Sequence, residues 1–384
     1  MTGFTADEIR LRGHPVWAEV DLGAIRDNIR TLSVLAPDAE VMGVVKGYAY
    51  GHGNPASAIA MIQGGATRLG VARVAEALHL REAGIEVPIH VFSEPPPDAA
   101  PQFIAHDLTA TVYTEAFARA LSGAAESAGR TAPVHVKLDT GMHRVGLQER
   151  ELPGAIAVLR SLPGLEIEGV WSHLAVADQP DHPFTRKQLE LFLDLAKRFG
   201  SGGEPLRYKH IANSAATLGM PEAHLDIVRC GIASYGLWPG PAFVGTAPLR
   251  PAMALKARIS MVKKVSGGEA VSYGLNYELE NESRVVTVAA GYADGYDRRL
   301  SGNADILIRG ERHRVSGTVC MDQFMVDVGD REVEVGDVVT LIGRDGSDTV
   351  TAEDLADLIG TINYEVATRI PSRVPRIFLN EVAV

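Results

Sequence analysis

Eight short apolar runs alternate with helical patterns over residues 40–231, and strand-like runs separated by turn residues fill the rest; together they predict an α/β chain. The expected architecture is an N-terminal (β/α)8 TIM-type barrel over residues 17–245, followed by a C-terminal mainly-β domain over 246–384. Residues 1–16 are expected to associate with the second domain. A further observation narrows the choice. The turn after the first run, Gly51-His52-Gly53, is no GxGxxG, which argues against an open dinucleotide-binding sheet.

Barrel strands are expected at Glu40–Lys46, Arg68–Ala72, Pro88–Ser93, Leu108–Tyr113, Pro133–Asp139, Glu168–Leu174, Arg207–Asn213 and Asp226–Gly231. Between the first two, Asn54 suits a helix N-cap, Pro55 the first helical position and Gly64 the stop. Val74, Ala77, Leu78 and Arg81 keep helical spacing up to Gly84. Thr114 opens a helix with Phe117, Ala120, Leu121 and Ala124 on one face. In the second domain, strands are expected at Ala254–Val265, Ser283–Ala289, Asp305–Ile308, Arg314–Thr318, Met325–Val328 and Val338–Ile342, with one helix at Thr351–Gly360. Trp17–Leu22 is expected to pair with this domain.

The 384 residues exceed one small domain, and 46% hydrophobic content supports a core without disulfides or metals. The balance of 37 basic and 48 acidic groups gives −11, which repels phosphate backbones and excludes nucleic acid as a partner. Only Cys230 and Cys320 occur, without CxxC spacing, as suits a reducing compartment. Residues Met1 to Gly13 carry Asp7, Glu8, Arg10 and Arg12 and no apolar run, and no later run reaches membrane-spanning length. A cytoplasmic protein without membrane contact is expected.

Reactive residues fall at the ends of the barrel strands. Lys46 ends strand one, Asp139 strand five and His173 strand six; Asn213-Ser214 ends strand seven and Arg229 lies within strand eight. Such barrels gather their active sites at the strand C-termini and commonly seat a phosphate after strands seven and eight. Here Ser214 opens a helix-like run, and Gly231-Ile232 offers backbone N–H groups. An isolated lysine at a strand end reads as a snorkelling or paired cation. Opposite a phosphate seat, a Schiff base to a phosphate-bearing aldehyde is the better account, because desolvation makes lysine nucleophilic. The cofactor implied is pyridoxal 5′-phosphate.

The segment Val44-Val45-Lys46-Gly47-Tyr48-Ala49-Tyr50-Gly51-His52-Gly53 resembles the cofactor-lysine segment of alanine racemases, and Lys137-Leu138-Asp139-Thr140-Gly141-Met142-His143-Arg144-Val145-Gly146 resembles their KxDTGMxRxG segment. Trp171-Ser172-His173, His210-Ile211-Ala212-Asn213-Ser214 and Val228-Arg229-Cys230-Gly231-Ile232 follow in family order. So do Val271-Ser272-Tyr273-Gly274, Gly291-Tyr292-Ala293-Asp294-Gly295, Cys320-Met321-Asp322-Gln323, Asn363-Tyr364-Glu365-Val366 and Arg373-Val374-Pro375-Arg376. Each motif alone is weak; the ordered set across the chain is specific.

The resemblance implies a pyridoxal-phosphate-dependent homodimer that interconverts L- and D-alanine, supplying D-alanine for cell-wall synthesis. Lys46 and the partner's Tyr273 would be the two acid–bases on opposite faces of Cα. His173 and Arg229 would stabilise the tyrosine's phenolate, which is otherwise a poor base. Arg229 would face the pyridine nitrogen; a structural ion pair with Asp226 is its plainer alternative. His210 would orient Arg229. Tyr50, Ser214, Gly231 and Ile232 would hold the phosphate. Arg144 and the Met321 backbone would take the substrate carboxylate. Lys137 matches a position that is often carbamylated, and Tyr292 and Asp322 would stand at the entrance or behind the first contacts. Three positions depart from the pattern. Tyr48 replaces Asn or Asp, Ala75 replaces an acid expected to steady the His210 side, and Ser372 replaces a tyrosine, widening the pocket and favouring slower turnover or broader tolerance, serine included. Rival readings are a serine racemase, a non-catalytic cofactor carrier and a decarboxylase; the carrier lacks a β-domain and the decarboxylase disagrees with an Arg144 clamp.

Overall fold

The computed structural model describes residues 13–201 and 206–381. The chain divides into two compact units, one of residues 24–49 with 57–250, the other of the residues up to 23, 50–56 and 251 onward.

Strand β1 (Val16–Asp21) belongs to the second of these units. Strands β2 (Glu40–Val44), β3 (Arg68–Val71), β4 (Ile89–Val91), β5 (Leu108–Val112), β6 (Ala132–Lys137), β7 (Leu165–Trp171), β8 (Tyr208–His210) and β9 (Ile227–Cys230) form one parallel sheet, in the order β8-β7-β6-β5-β4-β3-β2-β9. The seam between β8 and β9 is bridged by Asp226 N–H to Lys209 O at 3.1 Å and Arg229 N–H to Ala212 O at 3.2 Å. The sheet is therefore a nearly closed eight-stranded barrel. Its strands read as continuous apolar runs because helices cover one side and side chains fill the other. All eight expected strands are present in order. Lys46, Asp139 and His173 lie two residues beyond their ladders, where the chain is leaving the sheet.

Local signals set the helices. Thr114 caps Glu115–Ser127 by accepting the Phe117 N–H at 3.3 Å, and Val74–Glu82 ends just before Gly84 at φ +80°. Pro55 is not the first helical residue: the Asn54–Pro55 peptide is cis and the helix is Ala56–Gly64.

In the other unit, β1 pairs antiparallel with β10 (Met253–Val265) and parallel with Arg376–Leu379. Strand β10 also pairs with Ser283–Val288 and Val338–Asp345. The expected strand Arg314–Thr318 is not formed. Asp305–Ile308 instead pairs with Glu311–Arg314 across Arg309-Gly310, at φ +53° and +79°. Two positive φ values make a primed hairpin turn, and an arginine in its first place hid the signal. The expected helix is Ala352–Ile359, capped by Thr351, whose Oγ1 accepts the Asp354 N–H at 3.0 Å, and ended by Gly360 at φ +69°. A second helix, Asn363–Thr368, was not anticipated. The expectation for residues 1–16 falls largely on residues 1–12, outside the described residues. Among the described residues no helix is long and apolar enough to cross a membrane.

Candidate active site

The turn carrying Lys46 is backbone-strained. Gly47, Tyr48, Ala49 and Tyr50 all have positive φ, at 63°, 56°, 56° and 51°. Such a left-handed run costs roughly 1–2 kcal/mol per non-glycine residue. It persists because Gly47 N–H donates to Glu76 Oε1 at 2.7 Å and Ala49 N–H to Val45 O at 2.9 Å. Glu76 Oε2 also accepts the Ala72 and Arg73 N–H groups, at 2.8 and 3.0 Å. Strain of this kind clusters at functional sites, which makes the Lys46 turn a candidate position. Burial pulls the Lys46 amine below its usual pKa; Arg144 and Arg229 lower it further and Glu76 opposes them.

Arg229 is 4% exposed. Its Nη1 donates to His210 Nδ1 at 2.9 Å, and its Nη2 to Ser172 O at 2.8 Å and Ile211 O at 3.0 Å, with His173 Nδ1 at 3.2 Å. The alternative ion pair does not form: Asp226 accepts the Lys209 N–H at 2.7 Å and lies 3.9 Å from Lys209 Nζ. Burial pushes the guanidinium down to about 9, which leaves it charged at neutral pH. His173 is held well below its usual range by burial first and then by Arg229, Arg144, Lys46 and Lys137, so its ring is neutral.

Lys137 is buried, with Nζ donating to Leu138 O at 2.8 Å and lying 5.2 Å above the Trp171 ring. Burial, Arg229 and Arg144 bring it to about 7, against the pull of Asp139. The exposed loop bearing Arg144 is tied down by Asp139, whose Oδ1 accepts the Gly141 and His143 N–H groups at 3.0 Å each. Ser214 Oγ accepts the N–H groups of Gly231 at 3.0 Å and Ala233 at 3.3 Å, on either side of Ile232. Both hydroxyl lone pairs are then used, and its proton is left to donate to an anion.

The remaining expected residues lie in the other unit. Tyr273 is 73% exposed. It follows Ser272, whose φ of 71° and ψ of 177° are normally glycine's. Ser272 Oγ donates to Thr318 O at 2.6 Å, and Thr318 Oγ1 to Tyr273 O at 2.8 Å, which fixes the turn. Tyr292 and Ala293 N–H groups donate to Cys320 O and Met321 O at 3.1 and 3.0 Å. That approach needs Gly291, where a Cβ would lie 2.3 Å from Met321 O. Arg373 joins Asp294 at 2.8 Å to Asp322 at 2.6 Å. Tyr50 is buried, its ring centroid 6.1 Å from that of Tyr364.

Sequence reasoning missed Glu76, His135 and Glu168. Glu76 had a signal, an acid in a helix first turn just after a strand. His135 corrects the expectation about Ala75: that residue is exposed, and the second ring nitrogen of His210 is met by His135 Nδ1 at 2.8 Å rather than by an acid.

The donor set suits a phosphate-bearing pyridine aldehyde. Lys46 supplies a suppressed amine, Ser214 and the Gly231–Ala233 turn an anion seat, and Arg229 a buried donor with no carboxylate partner among the described residues. Comparison with known proteins agrees with that chemistry. Residues 20–239 match the family model for the alanine racemase N-terminal domain, and residues 252–378 match that for the C-terminal domain. The chain belongs to the alanine racemase family. An alanine racemase of Carboxydothermus hydrogenoformans is 45% identical over 95% of this chain and 100% of its own length. The crystal structure of alanine racemase from D-cycloserine-producing Streptomyces lavendulae is 41% identical, with a TM-score of 0.92, and covers 96% of this chain and 98% of its own. The fold also reaches a histidine racemase from Leuconostoc mesenteroides, at 32% identity and a TM-score of 0.87 over 95% of this chain and 98% of that one. Family membership therefore fixes the reaction type more firmly than the side chain accepted.

Proposed function

We propose that the protein is a pyridoxal-phosphate-dependent alanine racemase that works as a homodimer. The observation that carries the reading is the pairing of a suppressed strand-end amine, Lys46, with a buried guanidinium, Arg229, that no carboxylate among the described residues neutralises. Bound pyridoxal phosphate supplies the electron sink that acidifies Cα. Lys46, neutral more readily than an ordinary lysine, takes or returns the Cα proton on one face. Tyr273, from the other protomer, does so on the opposite face. An exposed tyrosine on a strained, doubly bonded turn suits a group presented to a second copy. Arg229 has no lone pair to accept a proton, so toward a pyridine nitrogen it acts as donor only. Ser214, Gly231, Ile232 and Tyr50 hold the phosphate, while Arg144 and the Met321 backbone hold the substrate carboxylate. His173 stays neutral beside Arg229.

Lys137 is the expected carbamylation site. An amine at about 7, hemmed in by Arg229 and Arg144, is nucleophilic, and an anion there relieves the like-charge crowding. Two free thiols, Cys230 and Cys320, suit the reducing cytoplasm, where D-alanine for cell-wall synthesis is made.

Turnover of a panel of L-amino acids in D2O, read by chiral chromatography and mass, tests the function. Deuterium should enter Cα with inversion for alanine ahead of serine and histidine, and Tyr273→Phe should abolish most L-to-D flux. A preference for another amino acid, or full flux in the variant, contradicts the proposal.

A further inference from the structure

The barrel interior holds polar groups that this mechanism does not use. His135 on β6 and His210 on β8 are fully buried. His135 Nδ1 is 2.8 Å from His210 Nε2, and His135 Nε2 is 3.4 Å from Oε2 of Glu168 on β7. At the other end, His210 Nδ1 meets Arg229 Nη1 at 2.9 Å. A guanidinium only donates, so His210 Nδ1 accepts. The neutral His210 ring then carries its proton on Nε2 and donates it to His135 Nδ1. His135 in turn carries its proton on Nε2, facing the Glu168 carboxylate. Arg229 fixes the direction of donation from its end, and the Glu168 carboxylate, 3.4 Å from His135 Nε2 with no hydrogen bond formed, lies on the side to which the last proton points.

The surroundings keep both rings neutral. Burial pushes His210 well below its usual range, and Arg229, His135, His90 and Arg68 push the same way. His135 is also lowered, burial outweighing the opposing pull of Glu168, with Arg68 and Arg229 adding to it. The His135 contact and Arg68 and Arg207 hold Glu168 low and ionised. Tyr208 stacks on His135 and Trp171 on His210, with centroids 5.6 and 5.7 Å apart.

The backbone is shaped around the same contact. Along β6 and β7, Val134 pairs with Ile167 but His135 with Gly169, so Glu168 is the extra residue of a β-bulge. Bulges re-aim side chains. Gly169 leaves the room: a Cβ there would lie 2.6 Å from Tyr208 O and 3.1 Å from His135 Nδ1. A metal is the competing use, since ligand atoms of His90, His135 and His210 fall within 4.8 Å of one another. The 2.8 Å contact is too short for two nitrogens on one ion, which stand about 3.3 Å apart at tetrahedral zinc distances. Arg229 also sets a positive charge beside the space.

We propose that His135 and Glu168 are positioning residues that hold the His210 ring in the tautomer Arg229 sets and, through it, hold the aim of Arg229. The catalytic consequence rests on the racemase reading; the tautomers do not. The test is long-range nitrogen–proton NMR of the full-length, cofactor-loaded protein carrying nitrogen-15 histidine, from about pH 6 to about pH 9 across the ordinary histidine range. Both rings should keep the proton on Nε2 with Nδ1 bare throughout. Glu168→Gln retains an oxygen acceptor and should preserve that pattern. Glu168→Leu leaves the His135 Nε2 proton without its carboxylate, so the His135 signals should shift while His210, still held by Arg229, keeps Nδ1 bare, and kcat/KM should fall roughly tenfold. A wild-type ring protonated on Nδ1, or Glu168→Leu with native His135 signals and native kcat/KM, overturns the proposal. Should the leucine variant not fold, the wild-type and glutamine spectra decide. Because the rings are read without turnover, an enzyme of another specificity leaves the result standing.

Discussion

Lys137→Met should make the fold more stable near neutral pH and remove a pH dependence that the native chain carries. The amine falls from the usual 10.5 to about 7, chiefly through burial. At ~1.4 kcal/mol per pH unit this amounts to an upper bound of about 5 kcal/mol, the cost of keeping Lys137 charged in the fold. The unfolded chain binds a proton at Lys137 that the folded chain does not, between about pH 7 and 10.5. Native stability therefore rises with pH through that window, and below pH 7 the whole penalty is present. Methionine has similar volume and no charge, so the difference between native and variant isolates the group. Urea unfolding of both proteins in carbon-dioxide-free buffer should show the native protein gaining roughly 1 kcal/mol per pH unit on the variant as pH rises from about 7 to about 9. A difference that stays constant across the window refutes the lowered pKa. Labelled bicarbonate should then give a carbon-13 carbamate signal in the native protein alone, and its absence would leave the site cationic.

Tyr273→Phe should change stability by less than about 0.5 kcal/mol, because the side chain is largely exposed, while stopping most L-to-D conversion; unfolding curves and chiral assays separate the two effects. Glu76→Ala removes the acceptor of three backbone N–H groups, at Gly47, Ala72 and Arg73. It should cost about 1–3 kcal/mol and loosen the Lys46 turn, seen as a lower melting temperature and a weaker cofactor absorbance. Ser372→Tyr should raise the kcat/KM preference for alanine over serine, and an unchanged ratio would show that this position does not shape the pocket.

Much of the molecule was legible in the sequence. The eight barrel strands could be counted because buried parallel strands are uninterrupted apolar runs, and Thr351 with Gly360 bounded a helix by capping chemistry alone. Lys46, Arg229 and Ser214 could be placed because strand ends fix where side chains converge. What failed was decided by contacts distant in sequence. The Arg309-Gly310 hairpin turns on a left-handed arginine that no composition rule flags, and its sheet register moved the expected strand. Glu168 reaches His135 only through a bulge, and bulges follow from pairing between strands. Ala75 is exposed, and the second ring nitrogen of His210 is met from another strand by a histidine two residues before Lys137, a contact that spacing along the chain does not reveal.

The central claim, that each site combines Lys46 of one protomer with Tyr273 of the other, is tested most directly by mixing inactive variants. Lys46→Ala and Tyr273→Phe proteins, each inert alone, are dissociated together in equal amounts and reassembled. Half the dimers are then mixed, each with one complete site, so about one quarter of native activity should return. A mixture that re-forms dimers yet stays inactive would contradict the account.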